Sequence, residues 1–226
     1  MKVSVVVPCY RVRGKIREVL AKIPPIVSSV YLVDDCCPER SLEEIDPRNY
    51  TFRLVILANE TNLGVGGAVK RGYIEALCDD VDIIVKMDGD GQMDGGDLGR
   101  IIAPVLNRNA DFAKGNRFLR YDQLHRMPLV RLVGNAGLSF LTKSSSGYWN
   151  VADPTNGYTA IHRCALKRLP LEKIDNRYFF ESDMLFRLNM ISAVVRDVPI
   201  DAKYEDEISN LSELSVLPEF LIKNFR

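Results

Sequence analysis

The stretch Ile83-Ile84-Val85-Lys86-Met87-Asp88-Gly89-Asp90-Gly91-Gln92 carries the strongest signal for the fold of this chain. An apolar run predicts a buried strand, which ends in two carboxylates spaced two residues apart. Open α/β sheets bind their ligands beyond the carboxyl ends of their strands. Carboxylates suit hard cations such as Mg²⁺ or Mn²⁺, whose remaining positions are often filled by substrate phosphates. The segment therefore favours a metal site that binds a diphosphate, with Asp88, Asp90 and Gln92 as the metal ligands.

This segment has two other interpretations, an ordinary polar turn and a calcium-binding loop. Asp and Gly are common in ordinary polar turns, so a simple turn remains an alternative. An EF-hand calcium loop needs Gly at its sixth position and Glu at its twelfth. Started at Asp88, the chain offers Met93 and Gly99 there; started at Asp90, it ends on Ile101. Both calcium registers fail.

Composition and charge narrow the class of protein. The 226 residues fit one α/β domain or two small ones, and 46% hydrophobic content is typical of a globular core. Thirty basic residues balance thirty acidic ones, so nothing favours nucleic acid as a partner. The five cysteines show no C-x-x-C spacing, which indicates reduced, mostly buried thiols in the cytosol. We expect no signal peptide and no membrane span, because no apolar run reaches 18 residues.

Strand and helix patterns alternate along the chain. Strands are predicted at residues 2–7, where Pro8 is expected to stop the strand, and at 29–33, 52–57, 81–85, 110–113, 158–161 and 193–198. Helices are predicted at residues 15–23, 65–77, 98–106, 129–142 and 178–190. This alternation predicts the α/β class with a largely parallel sheet. Polar residues follow several strands, and parallel strands should bring them to one cleft: Asp34, Asp35, Asn59, Asn62, Asp88, Asp90, Asn116 and Arg117.

Further motifs occur in a fixed order on either side of Asp88–Gln92. They are Val5–Tyr10, Val33–Cys37, Asn62–Ala68, Gly115–Phe118, Asp153–Tyr158 and Phe179–Asp183. The ordered set covers about residues 2–210. It resembles glycosyltransferase family 2, of the GT-A fold, and in particular its polyprenyl-phosphate branch of dolichol-phosphate mannosyltransferase-like enzymes. Cys36 and Cys37 replace the Gly-Ser of the family's nucleotide loop, and Gly89 replaces an Ala.

The resemblance implies a metal-dependent, inverting transfer of a sugar from a UDP- or GDP-sugar to a polyprenyl phosphate. It implies a nucleotide-sugar site made from Pro8, Tyr10, Asp34, Asp35, Asn62, Gly64, Gly66, Lys70 and Asp88. It places the acceptor phosphate at Arg117, Arg131 and Asn135. The catalytic candidates are Asp90, Asp153, Glu181 and Asp183. A glycine-rich turn before a helix also favours phosphate, although tight packing of those glycines on the sheet is the alternative.

The acceptor decides whether a base is needed. Transfer to an alcohol requires a general base, whereas a phosphate oxygen is already ionised. Glu181 and Asp183 also lie near the start of the helix predicted at residues 178–190, where carboxylates stabilise the helix dipole in any case. The alternatives are therefore a soluble family 2 enzyme acting on a saccharide hydroxyl and a non-catalytic nucleotide-sugar-binding module. A nucleotidyltransferase is a weaker candidate, because its glycine- and lysine-rich signature is missing after Val7.

The resemblance also predicts the organisation of the chain. Residues 1–210 form the catalytic domain, with a nucleotide-sugar-binding half at 1–118 and an acceptor-binding half at 119–210. Residues 211–226 form a tail that is interfacial or leads to membrane segments, because 217–226 has an apolar-basic pattern. We expect the protein at the cytoplasmic face of a membrane, bound peripherally or through an anchor elsewhere.

Overall fold

The computed structural model describes residues 1–118 and 129–201, and within them a single sheet with helices on both faces. The strands are β1 (Val3–Cys9), β2 (Val27–Asp34), β3 (Arg53–Ala58), β4 (Ile83–Lys86), β5 (Phe112–Asn116), β6 (Thr159–His162) and β7 (Val195–Pro199). The helices are α1 (Ile16–Ala21), α2 (Val65–Cys78), α3 (Leu98–Leu106), α4 (Leu129–Ser146), α5 (Arg163–Leu166) and α6 (Phe180–Met190).

The seven strands follow the order β3-β2-β1-β4-β6-β5-β7. Strand β6 is antiparallel to both of its neighbours, and the other pairings are parallel. The predicted α/β class with a largely parallel sheet is confirmed. The two predicted halves share this sheet, because β6 comes from the second half and lies between two strands of the first.

Side chains of β1 show how the sheet is covered. Val5 and Val7 face a cluster that includes residues of α1 and α3, whereas Val6 faces a cluster with residues of α2 and α6. Successive side chains of a strand point to opposite faces. The continuous apolar run of β1 therefore reflects a strand that is buried on both sides.

Strand β1 continues past the expected stop at Pro8 and ends at Cys9. The Val6 carbonyl accepts from Met87 N on the β4 side, and the Cys9 carbonyl accepts from Asp35 N on the β2 side. Backbone N–H and C=O groups of successive residues point alternately to the two neighbouring strands, so the nitrogen of Pro8, like the groups of Val6, faces β4. Pairing with β4 already ends at Val6. The N–H group that proline lacks would therefore have had no partner in the sheet.

Helix α4 is longer than predicted and runs to Ser146. It ends where Gly147 adopts a φ of +75°, a left-handed conformation that glycine reaches without strain. Within the described residues, no helix is both long enough and apolar enough to cross a membrane. All five cysteines are free thiols, but Cys36, Cys78 and Cys164 are exposed, so the expectation of mostly buried thiols was wrong.

Candidate active site

The polar loops meet at one edge of the sheet. A Cβ atom at Gly89, in the loop after β4, would lie 3.3 Å from the carbonyl oxygen of Pro8 at the end of β1. Because β6 is antiparallel, the loop that precedes it reaches this same edge. A Cβ atom at Gly157 in that loop would lie 2.7 Å from Asp88 Oδ2. The cleft therefore lies between the loop 87–92 and the loop 153–157.

Asp88 and Asp90 form the acidic centre of this cleft. The Asp88 side chain is 30% exposed, and its Oδ1 lies 2.9 Å from Lys86 Nζ. Asp90 is half-buried and accepts a 3.0 Å hydrogen bond from the backbone N–H of Gln92, whose side chain is exposed. Burial and the charge of Asp88 raise the pKa of Asp90. A carboxylate whose ionisation is disfavoured by burial and by a neighbouring carboxylate fits a divalent cation, which would retain open positions for diphosphate oxygens.

Lys86 was not singled out from the sequence as a site residue. Its side chain is 2% exposed and lies 2.9 Å from both Asp88 Oδ1 and Glu181 Oε1. Burial disfavours the ammonium group, but the two carboxylates outweigh that cost and raise the pKa of Lys86. The signal available in the sequence was a charged residue at the end of an otherwise apolar strand. A buried lysine requires a counter-charge, so this position predicts a partner.

Asp35 holds the glycine-rich turn together. Its buried carboxylate accepts hydrogen bonds from Asn59 Nδ2 at 2.8 Å, Leu63 N at 2.9 Å and Gly64 N at 2.7 Å. Asn62 Nδ2 donates to the Asp35 carbonyl oxygen at 3.2 Å. These contacts support a structural function for Asp35 and Asn62 rather than direct contact with a nucleoside.

Asp34 and Tyr10 are more accessible at the same edge. Asp34 is half-buried, and its Oδ1 accepts a 2.8 Å hydrogen bond from Cys37 N. Tyr10 follows Pro8 and is 42% exposed, with the Arg11 guanidinium 5.4 Å from its ring centroid. The structure thus leaves Asp34, Tyr10 and Pro8 in position to contact a nucleotide.

The start of α2 is covered by the chain itself. A Cβ atom at Gly66 would collide with the carbonyl oxygen of Asp175, and Gly64 has a φ of +85° that favours glycine. Lys70 Nζ donates to the carbonyl oxygen of Ile174 at 2.5 Å. The segment 174–176 thus occupies the place where a phosphate would bind. The geometry does not support Gly64, Gly66 or Lys70 as phosphate ligands and favours the packed-glycine alternative.

Replacing Gly66 with alanine should destabilise the fold, because the added methyl group overlaps the backbone at Asp175. We expect a loss of about 1–3 kcal/mol in the free energy of unfolding, the usual cost of overpacking. Gly99, in α3, has no neighbouring atom within 4 Å of an added Cβ. The matched Gly99→Ala variant should gain about 0.5 kcal/mol. Urea unfolding of both variants tests the packing; equal stabilities would contradict it.

On the other side of the cleft, Arg117 and Asp153 form a bidentate ion pair. Arg117 Nε lies 2.7 Å from Asp153 Oδ2, and Nη2 lies 2.9 Å from Oδ1. Burial disfavours the charge of the fully buried Asp153, but the Arg117 guanidinium more than compensates and holds its pKa below the ordinary value. A carboxylate held in this way is a weak base. The other predicted phosphate ligands, Arg131 and Asn135, have side chains outside the described residues.

The two candidates on α6 differ in their surroundings. Asp183 accepts a 2.8 Å hydrogen bond from Asp175 N and lies 3.1 Å from Arg187 Nε. It therefore links the first turn of α6 to the segment that precedes the helix. This matches the helix-start alternative and does not support Asp183 as a base. Glu181 is bound to Lys86, and through it to Asp88. Of these two carboxylates, Glu181 is the one connected to the acidic centre.

Comparison with known proteins agrees with this geometry. A family model described as Glycosyl transferase family 2 matches residues 4–169. An undecaprenyl-phosphate mannosyltransferase from Micrococcus luteus is 29% identical over 88% of this chain and 83% of that protein. A UDP-N-acetylglucosamine–dolichyl-phosphate N-acetylglucosaminyltransferase from Methanococcus voltae is 33% identical over 68% of this chain, but over 61% of its own length.

A solved structure shares the fold. Glucosyl-3-phosphoglycerate synthase from Mycobacterium tuberculosis, in complex with Mn²⁺, UDP and phosphoglyceric acid, superposes with a TM-score of 0.72. The match covers 99% of this chain and 77% of that one at 16% sequence identity. The predicted GT-A fold is thereby confirmed.

Proposed function

Because the chain belongs to glycosyl transferase family 2 and is a glycosyltransferase, we propose that its acceptor is a polyprenyl phosphate. The donor in this proposal is a UDP- or GDP-sugar, and the transfer requires Mg²⁺ or Mn²⁺ and inverts the anomeric centre. The observation that carries the metal and donor half of the proposal is the pair Asp88 and Asp90 beyond the carboxyl end of β4, in a loop that packs against Pro8 of β1.

The donor half of the proposal rests on the acidic pair. Asp88 and Asp90 would hold the metal ion, with the exposed Gln92 next to them. When bound, the metal offsets the negative charge that develops on the leaving nucleoside diphosphate. Tyr10 and Asp34 lie at the neighbouring strand ends and would contact the nucleoside. Mn²⁺ and UDP together in the structurally similar synthase support this arrangement.

The acceptor half rests on the absence of a free base among the three carboxylates considered. Within the described residues, Asp153, Glu181 and Asp183 are each engaged by a cationic side chain. A hydroxyl acceptor needs its proton removed, whereas a phosphate monoester presents an oxygen that is already ionised. The polyprenyl-phosphate acceptors in the names of the two relatives point in the same direction.

The proposed reaction is one in-line displacement. A phosphate oxygen of the acceptor forms a bond to the anomeric carbon of the sugar. The bond from that carbon to the diphosphate oxygen breaks, and its electron pair leaves with the nucleoside diphosphate. Arg117, held in place by Asp153, is 24% exposed and would orient the acceptor phosphate. Because the acceptor lies in a membrane, the enzyme would act at the cytoplasmic membrane surface, through peripheral contact or an anchor.

A donor screen tests the proposal. The protein is incubated with Mn²⁺ or Mg²⁺, a short polyprenyl phosphate and a panel of UDP- and GDP-sugars carrying a radiolabelled sugar. We expect label in the lipid fraction with one donor class, and none when EDTA removes the metal. Metal-dependent nucleotide binding without transfer to the polyprenyl phosphate would instead favour a saccharide acceptor or a non-catalytic binding module. No binding of any donor would refute the proposal.

A further inference from the structure

Lys86 forms ion pairs with carboxylates from two different parts of the cleft. Its Nζ lies 2.9 Å from Asp88 Oδ1 and 2.9 Å from Glu181 Oε1. Asp88 belongs to the loop that would bind the metal and donor, and Glu181 lies in the first turn of α6. One buried ammonium group is thus shared between the donor side and a carboxylate that is 95 residues away from Lys86 in the chain.

The ammonium group has little freedom to move. A Cβ atom at Gly157 would collide with Lys86 Nζ, so the loop 153–157 closes over the ion pairs. The same Cβ would lie 2.7 Å from Asp88 Oδ2, so the loop 153–157 also packs against the second oxygen of Asp88. Lys86 therefore binds one oxygen of an Asp88 side chain that is still 30% exposed and so remains open to a ligand.

We propose that Lys86 is a positioning residue that couples Glu181 to metal and nucleotide binding at Asp88, an inference that rests on the proposed function. Lys86 divides its charge between two carboxylates at equal distances. In a Glu181→Gln variant, the ammonium group would pair with Asp88 alone. That stronger pairing would compete with the metal ion for the Asp88 carboxylate. Removing the charge of Glu181 would therefore lower the affinity for metal and nucleotide through Lys86.

Binding measurements on four proteins test this coupling. They are the wild type, Glu181→Gln, Lys86→Met and the double variant, each titrated by calorimetry with Mn²⁺ and UDP, or with Mn²⁺ and GDP. We expect Glu181→Gln to weaken nucleotide binding about 10-fold when Lys86 is present, but less than about 2-fold in the Lys86→Met background. A long-range charge effect that bypassed Lys86 would instead be equal in both backgrounds.

Lys114 provides a matched control. Lys86 and Lys114 both pair with Thr159, from either side of β6, and both are buried. Lys114 Nζ, however, donates to the carbonyl oxygen of Asn156. The charge of Glu181 also acts on Lys114, but among the described residues only Lys86 forms ion pairs with both Asp88 and Glu181. In a Lys114→Met background, Glu181→Gln should still weaken binding about 10-fold.

The binding results distinguish a failure of the Lys86 coupling from a failure of the proposed function. Equal effects of Glu181→Gln with and without Lys86, in proteins that bind nucleotide, would overturn the coupling alone. A wild-type protein that binds neither UDP nor GDP with Mn²⁺ would overturn the proposed function and the coupling with it. If circular dichroism shows that Lys86→Met is unfolded, Lys86→Gln replaces it, because it also removes the charge but keeps a polar group that can donate to the buried carboxylates. The effect of Glu181→Gln should again fall below about 2-fold.

Discussion

The Asp90→Ala variant is expected to lose about 1,000-fold in kcat for sugar transfer while remaining folded. Asp90 is one of two carboxylates proposed to hold the metal, and that metal would stabilise the leaving diphosphate by several kcal/mol. Burial and the neighbouring Asp88 charge raise the pKa of Asp90, so its negative charge is unfavourable in the protein without a bound cation. Removing that charge should therefore not destabilise the folded state. Transfer assays across a range of Mn²⁺ concentrations measure the effect.

Asp80→Ala provides the control for a lost surface carboxylate. Asp80 is 82% exposed and pairs with Lys2, at the opposite end of β1 from the cleft. Its removal should leave kcat within about 2-fold and the urea midpoint of unfolding unchanged, because an exposed ion pair contributes little to stability. If Asp90→Ala retained wild-type activity at every Mn²⁺ concentration, the assignment of the metal site would be wrong.

The Arg117→Met variant should lose about 3–5 kcal/mol of folding free energy, the usual cost of leaving a buried charge without its partner. Asp153 is fully buried and receives two side-chain contacts from Arg117, at 2.7 and 2.9 Å. The comparison variant is Arg48→Met, which breaks an exposed pair with Asp46. That variant should leave the urea midpoint of unfolding nearly unchanged, because solvent screens an exposed ion pair. Urea unfolding at neutral pH measures both.

The stability difference caused by Arg117→Met should depend on pH. In the wild type, the Arg117 guanidinium holds the pKa of Asp153 below its ordinary value despite burial. The ion pair therefore stabilises the fold fully above about pH 5, and its contribution declines as the pH falls below about 4. A difference between the two proteins that stays constant from neutral pH to pH 3 would contradict this assignment.

Most of the sheet was predictable because its strands are continuous apolar runs. Val5, Val6 and Val7 are buried on both faces, and this pattern indicates a central strand of a parallel sheet. The direction of β6 was not predictable, since a short apolar run carries no information about its pairing partner or direction. The continuation of β1 through Pro8 depends on where β4 ends, which is a tertiary property.

The candidate site was predictable in part. Asp88 and Asp90 were visible because carboxylates directly follow a buried strand. The ion pairs of Lys86 and Arg117 were not, because their partners lie 95 and 36 residues away in the chain and no local pattern records them. The partners of Asp35 were not predictable from the sequence either. Its position in the motif suggests a contact with the nucleoside, but in the structure the backbone N–H groups of Leu63 and Gly64 donate to its carboxylate.

Acceptor discrimination tests the central claim most directly. With the donor identified by the screen, kcat/KM is measured for a short polyprenyl phosphate, for the same polyprenol without its phosphate, and for an oligosaccharide. Because the carboxylates considered as bases are engaged in ion pairs, we predict transfer to the phosphate with rates for both hydroxyl acceptors at least about 1,000-fold lower. Comparable rates with the polyprenol or the oligosaccharide would contradict the account, because within the described residues Asp153, Glu181 and Asp183 are all engaged by cations.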